Sequence, residues 1–182
     1  MLRTLVCTLL LVAPFISHAT DWNTQAADST LGFQGSYEGD VFNGVFKRFD
    51  ATIRYNPDDL TSARFDVSVD LASVDTQSSD RDETLANADF FNTKLFPKAH
   101  FVTESFSRAD DGNVYAQGAL TIRDQTRPVR LLVDFSGDAQ QATLAVSTTL
   151  KRADFGLGAS TDWSAISSDI SVRGKLSLHA KP

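Results

Sequence analysis

Residues 63–71 have the sequence Ala-Arg-Phe-Asp-Val-Ser-Val-Asp-Leu, in which apolar and polar side chains alternate strictly. A period of two is typical of a strand that buries one face and exposes the other. Weaker versions of the same alternation recur along the chain. Together they predict eight strands, over residues 31–37, 45–55, 63–71, 99–107, 114–122, 129–135, 142–150 and 170–180.

The connections between most of these strands are short and contain turn residues such as Asn56-Pro57 and Asp111-Gly112. Short connections favour antiparallel neighbours, because parallel strands need long crossovers. Eight strands suffice to close a barrel, and closure removes the exposed edges of the sheet. The pattern therefore predicts an all-β fold, an eight-stranded antiparallel barrel.

One segment between the third and fourth predicted strands breaks the alternation. Residues 78–86 are polar and contain good helix formers, and acidic side chains fall in the first turn, where the helix dipole favours them. We expect a helix over residues 79–87, capped by Ser79, then a loop that ends at Pro97. The barrel should thus carry a short helical insertion around residues 79–91.

The N-terminal residues predict an export signal. Arg3 precedes an apolar run over residues 5–16, which is too short to span a bilayer comfortably. We expect residues 1–19 to be a signal peptide that is cut after Ala19, which leaves residues 20–182 as one periplasmic domain. An uncleaved anchor is the alternative.

Composition argues against several kinds of site. The single cysteine, Cys7, falls within the predicted signal, so the mature domain would have neither a disulfide nor a thiolate. A formal charge of −6 argues against nucleic acid as a partner. His100 and His179 lack the neighbours of a zinc site, and neither a nucleophile elbow nor a phosphate loop occurs. We therefore expect no metal, no cofactor and no catalytic residue.

Small residues on the predicted inner face leave two interpretations open. Gly35, Ala116, Gly118 and Gly174 fall on the apolar parity of their strands. In the first, these small residues leave room for a cavity inside the barrel. In the second, they mark bends in the strands, and phenylalanines from facing strands fill the space next to them. The chain has 13 phenylalanines and three tyrosines, which suits dry packing or an alkyl ligand.

Several ordered blocks along the chain resemble the YceI-like family of bacterial secreted proteins. They are Ser73-Val74-Asp75-Thr76, Arg81-Asp82-Glu83-Thr84-Leu85, Ala88-Asp89-Phe90-Phe91, Phe96-Pro97-Lys98-Ala99-His100-Phe101 and Arg152-Ala153-Asp154-Phe155-Gly156. The resemblance implies a lipocalin-like barrel whose pore holds a polyisoprenoid or a quinone tail. The histidine that the family often has after the first strand is absent here.

The leading hypothesis is a lipid-binding protein that sequesters or transports a long-chain amphiphile, and not an enzyme. A homodimer and a transient contact with a membrane are compatible with the family. The alternatives are a filled barrel that docks on a membrane redox partner, and a hydrolase that uses His100. The apolar side chains expected to line the pore are Phe33, Phe65, Val67, Phe90, Phe91, Phe101, Leu120, Ile122, Leu131, Val133, Leu144, Val146, Phe155 and Leu176.

Overall fold

The structure, a computed structural model, describes residues 19–182. The predicted signal peptide and its apolar run therefore lie almost entirely outside the described residues. Within residues 19–182 the chain forms eleven strands and one α-helix. The strands are β1 Thr20–Thr24, β2 Thr30–Tyr37, β3 Asp40–Phe46, β4 Phe49–Tyr55, β5 Arg64–Asp70, β6 Val74–Asp75, β7 Lys98–Arg108, β8 Val114–Ile122, β9 Gln125–Gly137, β10 Gln141–Lys151 and β11 Asp169–Ala180, and helix α1 is Ser79–Ala86.

Eight of the strands close an antiparallel barrel in the order β1-β4-β5-β7-β8-β9-β10-β11. The ring closes at β1, where Trp22 pairs with Ala180 of β11 on one side and with Ile53 of β4 on the other. The predicted fold class, an eight-stranded antiparallel barrel with a short helical insertion, is confirmed.

The remaining three strands extend the sheet beyond the ring. Strand β11 pairs with β2 along its first half, where Val172 faces Phe33, and with β1 near its C-terminal end. Strand β3 pairs with β2 and with the two residues of β6. The β2–β3 hairpin therefore adds a wall at one end of the barrel, which we call the open end.

Several strands differ from the sequence prediction. Strand β9 begins at Gln125, four residues before its predicted start, and the two-residue β6 was not predicted. The predicted strand 45–55 is two strands, because the chain bends at Lys47 and Arg48 between β3 and β4. Strand β1 is additional, since its five residues were too few to show an alternation. The predicted helix is present over Ser79–Ala86, but its cap is Ser78, whose side chain accepts a hydrogen bond from the Arg81 backbone N–H.

A first hydrophobic cluster fills the end of the barrel opposite the hairpin. Its buried members are Trp22, Ile53, Tyr55, Phe65, Val114, Ala116, Val133, Ala142, Leu144, Leu176 and Leu178. Aromatic rings contact one another across this end: the ring centroids of Tyr55 and Phe135 are 5.0 Å apart, and those of Phe65 and Phe106 are 4.9 Å apart. The buried Trp22 indole donates to the Tyr55 carbonyl at 2.9 Å, so its polar atom is satisfied. This cluster closes the barrel at that end.

A second hydrophobic cluster lies towards the open end, beneath the insertion. Its buried members are Leu71, Phe91, Ala99, Phe101, Ile122, Val129 and Phe155. Leu85 of helix α1 packs against it, so the helix is anchored to the barrel by an apolar contact. Within the described part of the chain, no helix is long and apolar enough to cross a membrane.

Candidate functional site

An apolar groove opens to solvent at the open end of the barrel, between the β2–β3 hairpin, helix α1 and the segment that follows β10. Its volume of about 330 Å³ lies at the lower end of the range for ligand pockets. The side chains around it are mostly aromatic and aliphatic. They belong to Phe33, Tyr37, Phe42, Ser78, Asp80, Arg81, Thr84, Leu85, Phe90, Arg152, Leu157, Trp163, Ile166 and Ile170.

Two glycines let the hairpin present its phenylalanine rings to the groove. A Cβ at Gly44 would collide with the Phe33 ring, and a Cβ at Gly35 would lie 2.9 Å from both Phe42 and Ile170. The rings of Phe33 and Phe42 are thereby free to meet edge to face, with centroids 6.5 Å apart. Because glycine has no side chain, the Phe33 ring fits against Gly44 and the Phe42 ring fits against Gly35.

The opposite wall is a segment without regular strand structure, over residues 152–168, and Arg152 organises it. The Arg152 guanidinium donates to the carbonyls of Leu157 at 2.9 Å, Trp163 at 2.8 Å and Ile166 at 3.2 Å. It also donates to the carbonyls of Ser167 and Gly158. One side chain thus satisfies five backbone acceptors that a loop would otherwise have to expose to water.

Further hydrogen bonds fix this wall to its neighbours. The backbone N–H of Ser167 donates to the Ser36 carbonyl at 2.9 Å, which attaches the wall to the hairpin. On the other side, the Trp163 indole donates to the Asp89 carboxylate at 3.2 Å and packs edge to face on Phe90, with centroids 4.9 Å apart. The groove is therefore a defined surface and not a gap between loose loops.

Helix α1 supplies the polar side of the groove. The Asp82 carboxylate accepts from the Thr76 backbone N–H at 2.9 Å and from the Thr76 hydroxyl at 2.6 Å, which fixes the start of the helix. The neighbouring Arg81 is half-buried and lies over the Phe42 ring, with its guanidinium carbon 5.0 Å from the ring centroid. The same helix therefore borders the groove with a cation and packs on the barrel through Leu85.

The predicted lining residues are distributed over three places. Phe33 and Phe90 line the groove. Phe65, Val133, Leu144 and Leu176 belong to the first cluster, with Val146 packed against it; Phe91, Phe101, Ile122 and Phe155 belong to the second, with Leu120 packed against it. Leu131 packs against both clusters, and the half-buried Val67 pairs with Phe101 between β5 and β7.

Several groove residues did not appear among the predicted lining residues. Tyr37 is the last residue of β2 and Phe42 lies in β3. The sequence pattern did not separate β3 from β4. Trp163 and Ile166 lie in a segment without apolar periodicity. The aromatic side chains of this segment were the only sequence feature that could have predicted its contribution to the groove.

His100 lies outside the groove, on an exposed position of β7. Its Nε2 is 2.7 Å from an Asp66 carboxylate oxygen, and this hydrogen bond is the main reason why the pKa of Asp66 is lowered. Among residues 19–182, no group of three histidine, cysteine or acidic side chains is arranged to hold a metal ion.

Comparison with known proteins agrees with this architecture. A UPF0312 protein of Vibrio cholerae is 27% identical over 170 residues, which cover 88% of this chain and 90% of the relative. The crystal structure of BcnA from Burkholderia cenocepacia matches with a TM-score of 0.80 and 22% identity, over 85% of this chain and 99% of that chain.

A polyisoprenoid-binding domain from Saccharophagus degradans, implicated in plant cell wall breakdown, matches with a TM-score of 0.65 and 17% identity, over 91% of this chain and 100% of that one. At such identities these two structural matches show a common fold. The family assignment rests on sequence, because the model of the YceI-like domain matches residues 22–178, which is most of the chain. The chain therefore belongs to the YceI-like family.

Proposed function

We propose that this protein binds a long-chain amphiphile, a polyisoprenoid or an isoprenoid quinone, and sequesters or transports it in the periplasm. The observation that carries the proposal is the apolar groove at the open end of the barrel. It is open to solvent, it is lined mainly by aromatic and aliphatic side chains, and its volume is about 330 Å³. The polyisoprenoid-binding domain of Saccharophagus degradans, which shares the fold, supports the choice of ligand class.

The energetics of burial suit such a ligand. Each buried methylene contributes about 0.8 kcal/mol, so two isoprene units of five carbons each contribute roughly 8 kcal/mol. Association costs about 4–15 kcal/mol, so apolar burial alone offsets much of that cost. The proposed activity is therefore binding, with most of the affinity supplied by the tail.

Native mass spectrometry of the protein purified from a bacterial host tests the proposal. We expect a one-to-one apolar adduct that organic extraction removes. The Ile166→Glu variant places a charge in the groove and should lose the adduct, because a hydrated carboxylate there removes apolar surface that the tail needs. The matched control is Leu132→Glu, since Leu132 is 37% exposed on the outer face of β9 and should tolerate the change.

Two results would count against the proposal. If folded Ile166→Glu keeps the adduct, the ligand lies elsewhere in the protein. If the wild-type protein shows only its apo mass, the alternative gains support, a barrel with a filled core that acts as an interaction module. The aromatic contacts of the first cluster are the observation that favours this alternative. Homodimerisation and contact with a membrane stay predictions.

A further inference from the structure

Two arginines border the groove, and the protein uses their hydrogen-bonding groups very differently. The Arg152 guanidinium donates to five backbone carbonyls. Among the described residues, the Arg81 guanidinium makes one hydrogen bond, from Nη1 to the Thr76 carbonyl at 3.3 Å. Arg81 takes part in none of the ion pairs found within residues 19–182. Arg81 is therefore the groove's available cation.

The acidic side chains near Arg81 are directed to other partners or to water. The Asp82 carboxylate accepts hydrogen bonds from the backbone N–H and the hydroxyl of Thr76. Asp80 borders the mouth of the groove but is exposed, so water screens its charge. Arg81 is half-buried, and its guanidinium carbon lies 5.0 Å from the centroid of the Phe42 ring, which favours a cation over its face. A cation in this position lacks the counter-ion that would offset its loss of hydration.

The guanidinium group is the side chain best suited to bind an oxyanion, because its planar fork matches the spacing of carboxylate and phosphate oxygens. We infer that the polar end of the ligand is an oxyanion, a carboxylate or a phosphate, and that Arg81 binds it while the tail lies against Phe42 and Phe33. Of the two ligand classes proposed above, this selects an anionic polyisoprenoid over a neutral quinone. This inference rests on the proposed function. It adds that the groove selects its amphiphile by the charge of the head group.

Titration with three probes of equal tail length tests the inference: dodecanoate, dodecyl phosphate and dodecanol, each below its micelle concentration. Trp163 lines the groove, so its fluorescence should report binding directly. We expect the wild-type protein to bind at least one anion about tenfold or more tightly than dodecanol, as a charged hydrogen bond requires. Comparison of the two anions then shows which oxyanion is preferred.

The Arg81→Met variant should lose this preference while its affinity for dodecanol changes less than about threefold, since methionine preserves the apolar surface. Arg81→Lys keeps the charge without the fork, so it should retain part of the preference. The matched control is Arg127→Met, because in the part of the chain that the structure describes the exposed Arg127 guanidinium bonds to its neighbours Thr126 and Gln125 alone. This control should keep the full preference.

The outcomes separate the inference from the function on which it rests. If wild-type protein binds dodecanol as tightly as both anions, the inference is wrong and the proposed function stands. If a folded Arg81→Met protein keeps the anion preference, Arg81 is not the head-group residue. If no probe binds, the proposed function itself is contradicted. Should Arg81→Met fail to fold, the wild-type ratio and Arg81→Lys still decide the question.

Discussion

A single side chain, Arg152, holds the wall of the groove opposite helix α1. Its five acceptors are spread over residues 157–167, which have no strand partner of their own over most of that length. Lysine has one donor nitrogen and cannot reach five carbonyls from one position. We therefore expect Arg152→Lys to lower the free energy of unfolding by about 2–4 kcal/mol, measured by urea denaturation.

The neighbouring residue provides the control for that measurement. Lys151 forms an exposed ion pair with Asp169, with 3.1 Å between nitrogen and oxygen. Exposed pairs contribute less than about 1 kcal/mol, so Lys151→Gln should leave the unfolding transition almost unchanged. If both variants lower the free energy of unfolding by the same amount, the hydrogen bonds from Arg152 to the five carbonyls do not stabilise the wall.

At the scale of elements, helix α1 depends on its surroundings. Its eight residues are too few for an independently stable helix. The cap at Ser78, the contacts of Asp82 with Thr76 and the packing of Leu85 supply the missing stability. We expect Asp82→Ala to cost about 1–2 kcal/mol and to speed amide hydrogen exchange throughout residues 76–86.

Hydrogen exchange with mass spectrometry measures this effect segment by segment. Glu83→Gln is the matched control, because Glu83 is exposed on the same helix and the hydrogen bonds found for Thr76 within residues 19–182 go to other residues. Its exchange pattern should equal that of the wild-type protein. Unchanged exchange over residues 76–86 in Asp82→Ala would show that packing through Leu85 alone holds the helix.

Most elements could be predicted because their side chains follow a clear period. Strand β5 and helix α1 are examples, and both lie within two residues of their predicted bounds. The β2–β3 hairpin is a counterexample. Its turn residues Glu38 and Gly39 both have positive φ, at 52° and 92°, but glutamate is not a residue that usually marks such a turn. The sequence prediction therefore ended β2 correctly at Tyr37, but it did not reveal that β3 begins at Asp40.

The position of the groove was harder to predict than the strands. Alternation tells which side chains of a strand point inwards, but not which end of the barrel they fill. Phe33 and Phe65 have the same inward parity, yet Phe33 lines the groove and Phe65 lies in the first cluster. Pairing between strands far apart in the chain sets this difference, because β2 pairs with β11 outside the ring and β5 is part of the ring.

At the scale of the whole molecule, the barrel has two unequal ends. Aromatic contacts close one end, and the groove occupies the other. A ligand tail that enters from the groove should bury methylenes until it meets packed side chains. Methylenes added beyond that point should remain exposed to water. Each buried methylene should tighten binding about fourfold, and the affinity should then stop rising.

Dissociation constants for a series of straight-chain carboxylates, from about eight to about eighteen carbons, measure this limit. The Phe106→Ala variant tests its cause, because Phe106 packs on Phe65 and Tyr55 in the first cluster and its loss leaves a cavity. If the closed end sets the limit, the affinity of this variant should keep rising to longer chains. Glu104→Ala, an exposed change on the same strand, should keep the wild-type limit. A wild-type affinity that rises through the longest chain would mean that the closed end opens when ligand binds.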